Sequence, residues 1–129
     1  MIISLITLFL VAFFLNLLYE LLHRLLYTTC IEASLKKYIY LILKAAIFDG
    51  VIITILYAIS YWIFPTYHIV IFVLLSLLFA YVWEIYSLKK GKWEYSKNMP
   101  KICSIGLTPL LQLAITGVVA IYICSYFFV

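Results

Sequence analysis

Residues Ile69 to Ala80 read I-V-I-F-V-L-L-S-L-L-F-A, an apolar run broken by one hydroxyl and carrying no charge. Apolar and polar residues do not alternate in it, so it lacks the pattern of a strand in a membrane β-barrel. With its flanks it extends from about Tyr67 to Leu88. That is enough for one helical crossing of a bilayer, which takes about 20 mostly apolar residues.

Three further stretches share this character. The first begins at Ile2 and has only Ser4, Thr7, Asn16 and Glu20 as polar interruptions up to Leu22. It lacks a basic leading segment and a small-residue cleavage site, so it reads as a retained helix. The second runs from about Leu41 to Phe64, with Lys44 at its start, Asp49 inside and Pro65 as its stop. The last runs from Ile105 to Val129. The expected helices are therefore about 2–24, 41–64, 67–88 and 105–129, joined by basic loops 25–40 and 89–104 in a single transmembrane domain, 1–129. The composition agrees: 68% of residues are hydrophobic and 11% charged, against about 25% charged in soluble domains. Mean hydropathy is +1.21. The expected fold is an all-α integral membrane protein, a four-transmembrane-helix bundle built as two hairpins.

All nine Lys and Arg residues lie on one side of this plan. Arg24, Lys36, Lys37 and Lys44 belong to the first connection and its border. Lys89, Lys90, Lys92, Lys97 and Lys101 belong to the third, and the second connection has none. Because basic residues in short loops stay in the cytoplasm, both termini are expected outside, in a multi-pass protein of the cell or inner membrane. A net charge of +4 then has a direct use. Arg24, Lys36, Lys37, Lys89, Lys90 and Lys92 would meet anionic lipid headgroups, at about 1 kcal/mol each. Two short loops are too small to track nucleic acid.

The five acids are informative. Glu32 and Glu94 fall in loops, but Glu20, Asp49 and Glu84 fall in or near the spans, where ionisable groups are costly. Glu20 is about 6 Å inside Arg24, and Asp49 about 7–8 Å deeper than Lys44, at 1.5 Å per residue. Glu84 is five residues short of Lys89, and Gln112 lies just beyond Pro109. Each helix thus places a carboxylate or amide at a similar depth, forming a polar layer near the cytoplasmic face. Asn16, Glu20 and His23 share one helix face, as do Ser76, Ala80 and Glu84. Ala46, Gly50, Thr54 and Ala58, and Thr116, Ala120 and Cys124, form small-residue stripes that permit close packing in lipid. The candidate intramembrane site is Asn16, Glu20, His23, Asp49, Glu84 and Gln112. The bland alternative is interfacial pairing, with Glu20 and Arg24 as an i,i+4 ion pair.

No metal or cofactor is expected. Glu20 and His23 have the Glu-x-x-His spacing of di-iron bundles, but the second such motif is missing, since Ser87 follows Glu84 at i+3. There is no G-x-S-x-G, no phosphate-binding glycine loop and no C-x-x-C. The loop K-K-G-K-W-E-Y-S-K-N-M-P-K, Lys89–Lys101, follows Glu84 and precedes Gln112. It is either an ordinary basic loop or one whose Trp93, Glu94 and Tyr95 fold back as a cap. Three functions fit. The first is a subunit or assembly protein, in a homo- or hetero-oligomer, whose polar layer fixes helix register. The second is an enzyme or binding protein for lipid or isoprenoid, and the third a small oligomeric transporter coupled to a proton or cation.

Overall fold

The computed structural model describes residues 3–128. Ile2 and Val129, where the expected first and last spans begin and end, lie outside them. Four helices are long and apolar enough to span a membrane. They are α1 (Leu5–His23), α3 (Leu35–Ile63), α4 (His68–Lys89) and α5 (Leu107–Phe127). A one-turn helix, α2 (Thr28–Glu32), and a short hairpin, β1 (Lys101–Ile102) with β2 (Ile105–Gly106), occupy the connections.

The helix ends follow local chemistry. The Ser4 hydroxyl accepts from the Thr7 amide and begins α1. Ser34 does the same for the Lys37 amide at 3.3 Å and begins α3. This cap corrects the expected boundary. The second long helix starts at Leu35 rather than near residue 41, so Lys36 and Lys37 ride on its first turn and 25–40 is not a plain loop. Hydropathy understated the helix because its first residues are charged, whereas the cap depends only on one hydroxyl. At its far end α3 stops at Ile63, two residues before Pro65, and the turn Pro65–Tyr67 leads into α4.

The C-terminus of α4 is closed by Gly91 at φ +69°. Its amide donates to the Leu88 carbonyl at 3.2 Å and the Lys92 amide donates to that of Ser87 at 3.0 Å. This paired arrangement needs a left-handed residue and turns the chain back on itself. In the hairpin, Cys103 and Ser104 form the two-residue connection, both with positive φ, matching the right-handed twist of the strands. The 89–104 connection is thus largely ordered.

The four long helices form a ring in which α1 packs on α3 and α5, and α4 packs on the same two helices. Close approach depends on small residues. A Cβ at Gly50 would lie 3.1 Å from Phe9 Cε2, where α3 meets α1. A Cβ on Gly117 would overlap the ring of Phe72, where α5 meets α4. Leu8, Ile53, Tyr57, Phe72, Leu113, Ala120 and Ile121 fill the shared apolar core. Ala46 and Gly50 of the α3 stripe and Thr116, Ala120 and Cys124 of the α5 stripe are all buried within the chain.

Candidate functional site

Polar groups enter this bundle at the basic end. Asn16 lies on the buried face of α1 and donates to the Ala12 carbonyl. One turn on, Glu20 uses both carboxylate oxygens. Oε2 accepts from His23 Nε2 at 3.0 Å, and Oε1 accepts from Gln112 Nε2 at 3.0 Å. This histidine contact is the one contact within 4.0 Å between an acidic and a basic side chain among the described residues. The alternative, a Glu20–Arg24 pair, does not form among the described residues. Arg24 instead lies over the ring of Tyr38, 5.4 Å from its centroid.

Gln112 ties three helices together. Its Nε2 is 3.0 Å from Asn16 Oδ1, 3.0 Å from Glu20 Oε1 and 2.9 Å from Asp49 Oδ2. A side-chain amide has two N–H groups, so three acceptors from α1 and α3 compete for two protons. The Thr116 hydroxyl, one turn further along α5, lies 2.7 Å from the Gln112 carbonyl and 3.1 Å from Asn16 Oδ1, two acceptors for its one proton. Thr108, one turn earlier, meets His23 Nδ1 at 3.1 Å, and its carbonyl accepts from the Tyr19 hydroxyl at 2.7 Å. Pro109, in the first turn of α5, costs little there because that turn's amides have no intrahelical partner.

Glu84 is 3% exposed and is held from the connecting segments. Trp93 Nε1 donates to its Oε1 at 2.9 Å, the Tyr95 hydroxyl donates to the same oxygen, and the Tyr27 hydroxyl approaches it at 3.5 Å. The backbone places these groups. The chain at Trp93–Ser96 runs antiparallel to Leu25–Thr29, with the Thr28 amide donating to the Glu94 carbonyl at 2.9 Å and the Ser96 amide to the Leu26 carbonyl at 2.8 Å. The Gly106 amide donates to the Tyr95 oxygen at 3.0 Å, fixing its ring from the other side. Trp93 and Tyr95 therefore cover Glu84, while the Glu94 side chain is exposed. Burial, reinforced by the nearby Glu84 carboxylate, pushes the Tyr27 hydroxyl pKa well above its ordinary value. Burial and the bond to Glu84 do the same for Tyr95. Both hydroxyls thus stay protonated and available as donors.

These groups surround one cavity of about 360 Å³. Glu20 of α1, Asp49 of α3, Glu84 of α4 and Gln112 of α5 all line it, so each long helix contributes one polar group. Leu41, Ala45, Phe48, Phe79 and Trp83 form the apolar wall, and the exposed Lys44 and Lys92 mark its rim. Asn16 and His23 stand behind this lining, bonded to its members. Lys36, Lys37, Lys89 and Lys90 are exposed outside it, and Arg24 lines a separate recess beside Tyr38. Among the described residues no group of three potential metal ligands converges.

Sequence reasoning passed over Tyr27, Thr108 and Lys44 as site residues. Tyr27 follows His23 by four residues and extends the Asn16–Glu20–His23 line. Thr108, Gln112 and Thr116 repeat at four-residue spacing, so both signals were present in helix periodicity. Scans against protein-family models, curated proteins and solved structures find no match to this chain.

Proposed function

We propose that this chain is a multi-pass membrane protein that binds a lipid-like amphiphile in the cavity at its basic end. The observation that carries the reading is the cavity's composition. Four helices each bring one carboxylate or amide to a single space whose wall is aliphatic and aromatic and whose rim carries two lysines. An apolar pocket with a few convergent polar groups is the usual form of a small-molecule site. In this reading the basic end faces the cytoplasm and both termini lie outside, as the one-sided placement of Lys and Arg favours. Arg24, Lys36, Lys37, Lys89 and Lys90 then face anionic headgroups around the site.

A second reading draws on Gln112. Its bonds to Asn16, Glu20 and Asp49 join α1, α3 and α5, which suits a subunit whose polar layer sets helix register. Native mass spectrometry of the purified protein separates the two. A lipid retained by the wild type and lost on Glu84→Gln or Asp49→Asn is the expected result. If both variants lower only thermal stability, with no lipid bound in any form, the register reading replaces the first. Proton-linked uptake into liposomes that Asp49→Asn abolishes would instead make the same carboxylates a transport site.

A further inference from the structure

Glu84 is almost wholly buried, yet all three of its donors act on Oε1. Among the described residues none acts on Oε2. Asp49, which is half-buried, shares the pattern: Oδ2 accepts from Gln112, and no donor among the described residues acts on Oδ1. Glu20, by contrast, has both oxygens engaged. Two carboxylates on neighbouring helices, both lining the cavity, thus each keep one oxygen without a protein donor.

The donors that reach Glu84 and Asp49 are already engaged. Tyr27, Trp93 and Tyr95 act on Glu84, and the two N–H groups of Gln112 are shared among three acceptors. What the interior lacks is a cationic group with several N–H bonds of its own. Both free oxygens stay accessible from the cavity, and a cationic partner there would offset the cost of holding two carboxylates beside an apolar wall.

The rim has the opposite need. Neither Lys44 nor Lys92 has a carboxylate partner among the described residues. Lys44 precedes Asp49 by five residues on α3, about 7–8 Å along the axis, so an anion at the rim and a cation at Asp49 fit one short head.

We propose that the cavity selects a phospholipid whose head joins a primary ammonium to a phosphate by two carbons, the ethanolamine type. Asp49 Oδ1 and Glu84 Oε2 accept from the ammonium, Lys44 and Lys92 hold the phosphate, and the acyl chains leave past Leu41, Ala45, Phe48 and Phe79. A trimethylated ammonium fits less well because it offers no N–H. The indole of Trp83 is not free to replace those bonds by a cation–π contact, because Lys92 lies 4.5 Å from its centroid and Phe48 stacks on the same ring at 4.7 Å.

This inference rests on the lipid-binding reading, and the test separates the two. Delipidated protein is offered an equimolar mixture of ethanolamine, choline and glycerol phospholipids with identical acyl chains, and bound lipid is counted by native mass spectrometry. The ethanolamine lipid should be enriched about tenfold over each of the others, the equivalent of one charge-assisted hydrogen bond. Asp49→Asn, which leaves Trp93 and Tyr95 on Glu84, should bring the ratio close to one. Lys44→Ala should weaken ethanolamine and choline lipids together and leave their ratio unchanged. Equal binding of ethanolamine and choline lipids, or of ethanolamine and glycerol lipids, overturns the head-group assignment while sparing the lipid site. Absence of any bound lipid overturns both.

Discussion

Trp93 Nε1 donates to Glu84 Oε1 at 2.9 Å, although Trp93 lies beyond the end of the helix that carries Glu84. The glycine-closed turn at Gly91 makes this possible by sending the chain back over the last turns of α4. The contact fastens a connecting segment to a buried carboxyl group, so it should be measurable as a coupling. Trp93→Phe removes one donor and should cost about 1 kcal/mol. Glu84→Ala leaves Trp93, Tyr95 and Tyr27 without their acceptor and should cost about 2–4 kcal/mol. In a double-mutant cycle read by reversible unfolding in detergent, the two effects should be non-additive. Simple additivity would mean that the bond contributes nothing.

Alkaline pH tests the same latch through Tyr95. Its folded pKa is raised by burial and by Glu84, so the folded state keeps a proton that the unfolded chain loses near pH 10. Stability is therefore fully present below about pH 10 and should fall as pH rises beyond it. Tyr27, raised in the same direction, adds to the fall. Melting curves between pH 8 and 11 should show a shallower loss for Tyr95→Phe than for the wild type. Identical slopes would remove Tyr95 from the account.

Gln112 is the shared donor of three helices, so its loss should be felt across the bundle. Gln112→Leu leaves Asn16, Glu20 and Asp49 with one donor fewer in a buried site, and should lower stability by about 2–4 kcal/mol. Gln112→Glu adds another acid beside Glu20 and Asp49 and should be worse at neutral pH than at pH 4. Thermal unfolding at the two pH values checks both statements, and an unchanged melting temperature for Gln112→Leu would contradict them.

Gly117 sets how closely α5 approaches α4. Phe72 is fully buried, so its ring has little room to yield to a Cβ at Gly117. Gly117→Ala should therefore destabilise by about 1–3 kcal/mol, in the range of overpacked cores, despite alanine's better helix propensity. Phe72→Leu should recover part of the loss when combined with it. A neutral Gly117→Ala would show that the two helices separate at little cost.

Cys103 offers a check on orientation. It is exposed at the tip of the β1–β2 hairpin, at the basic end, whereas Cys124 is buried in α5. In sealed right-side-out vesicles a membrane-impermeant maleimide should leave Cys103 unlabelled, and permeabilisation should expose it. Labelling before permeabilisation would reverse the proposed topology.

Glu20, Asp49, Glu84 and Gln112 could be placed at a common depth from sequence because helix rise converts residue count into distance. The four apolar stretches were legible for the same reason: length and hydropathy add along a chain. The beginning of α3 was less so, since a single hydroxyl at Ser34 outweighs the polarity of Lys36 and Lys37. Pairing between helices was not legible. Spacing allowed Glu20 to meet His23 or Arg24 on its own helix, and His23 takes one oxygen, but the Gln112 contact was hidden because partners on another helix depend on rotation about each helix axis.

Sequence alone determined four long apolar helices, the gathering of basic residues at one end, and a polar layer near that end. Only the tertiary structure decided that the layer lines a cavity, that Trp93 and Tyr95 close over Glu84, and that one oxygen of Glu84 and one of Asp49 have no donor among the described residues. The physical reason is that composition and rise act locally, whereas a cavity and its unpaired atoms arise from how four helices and a folded-back segment share the same space.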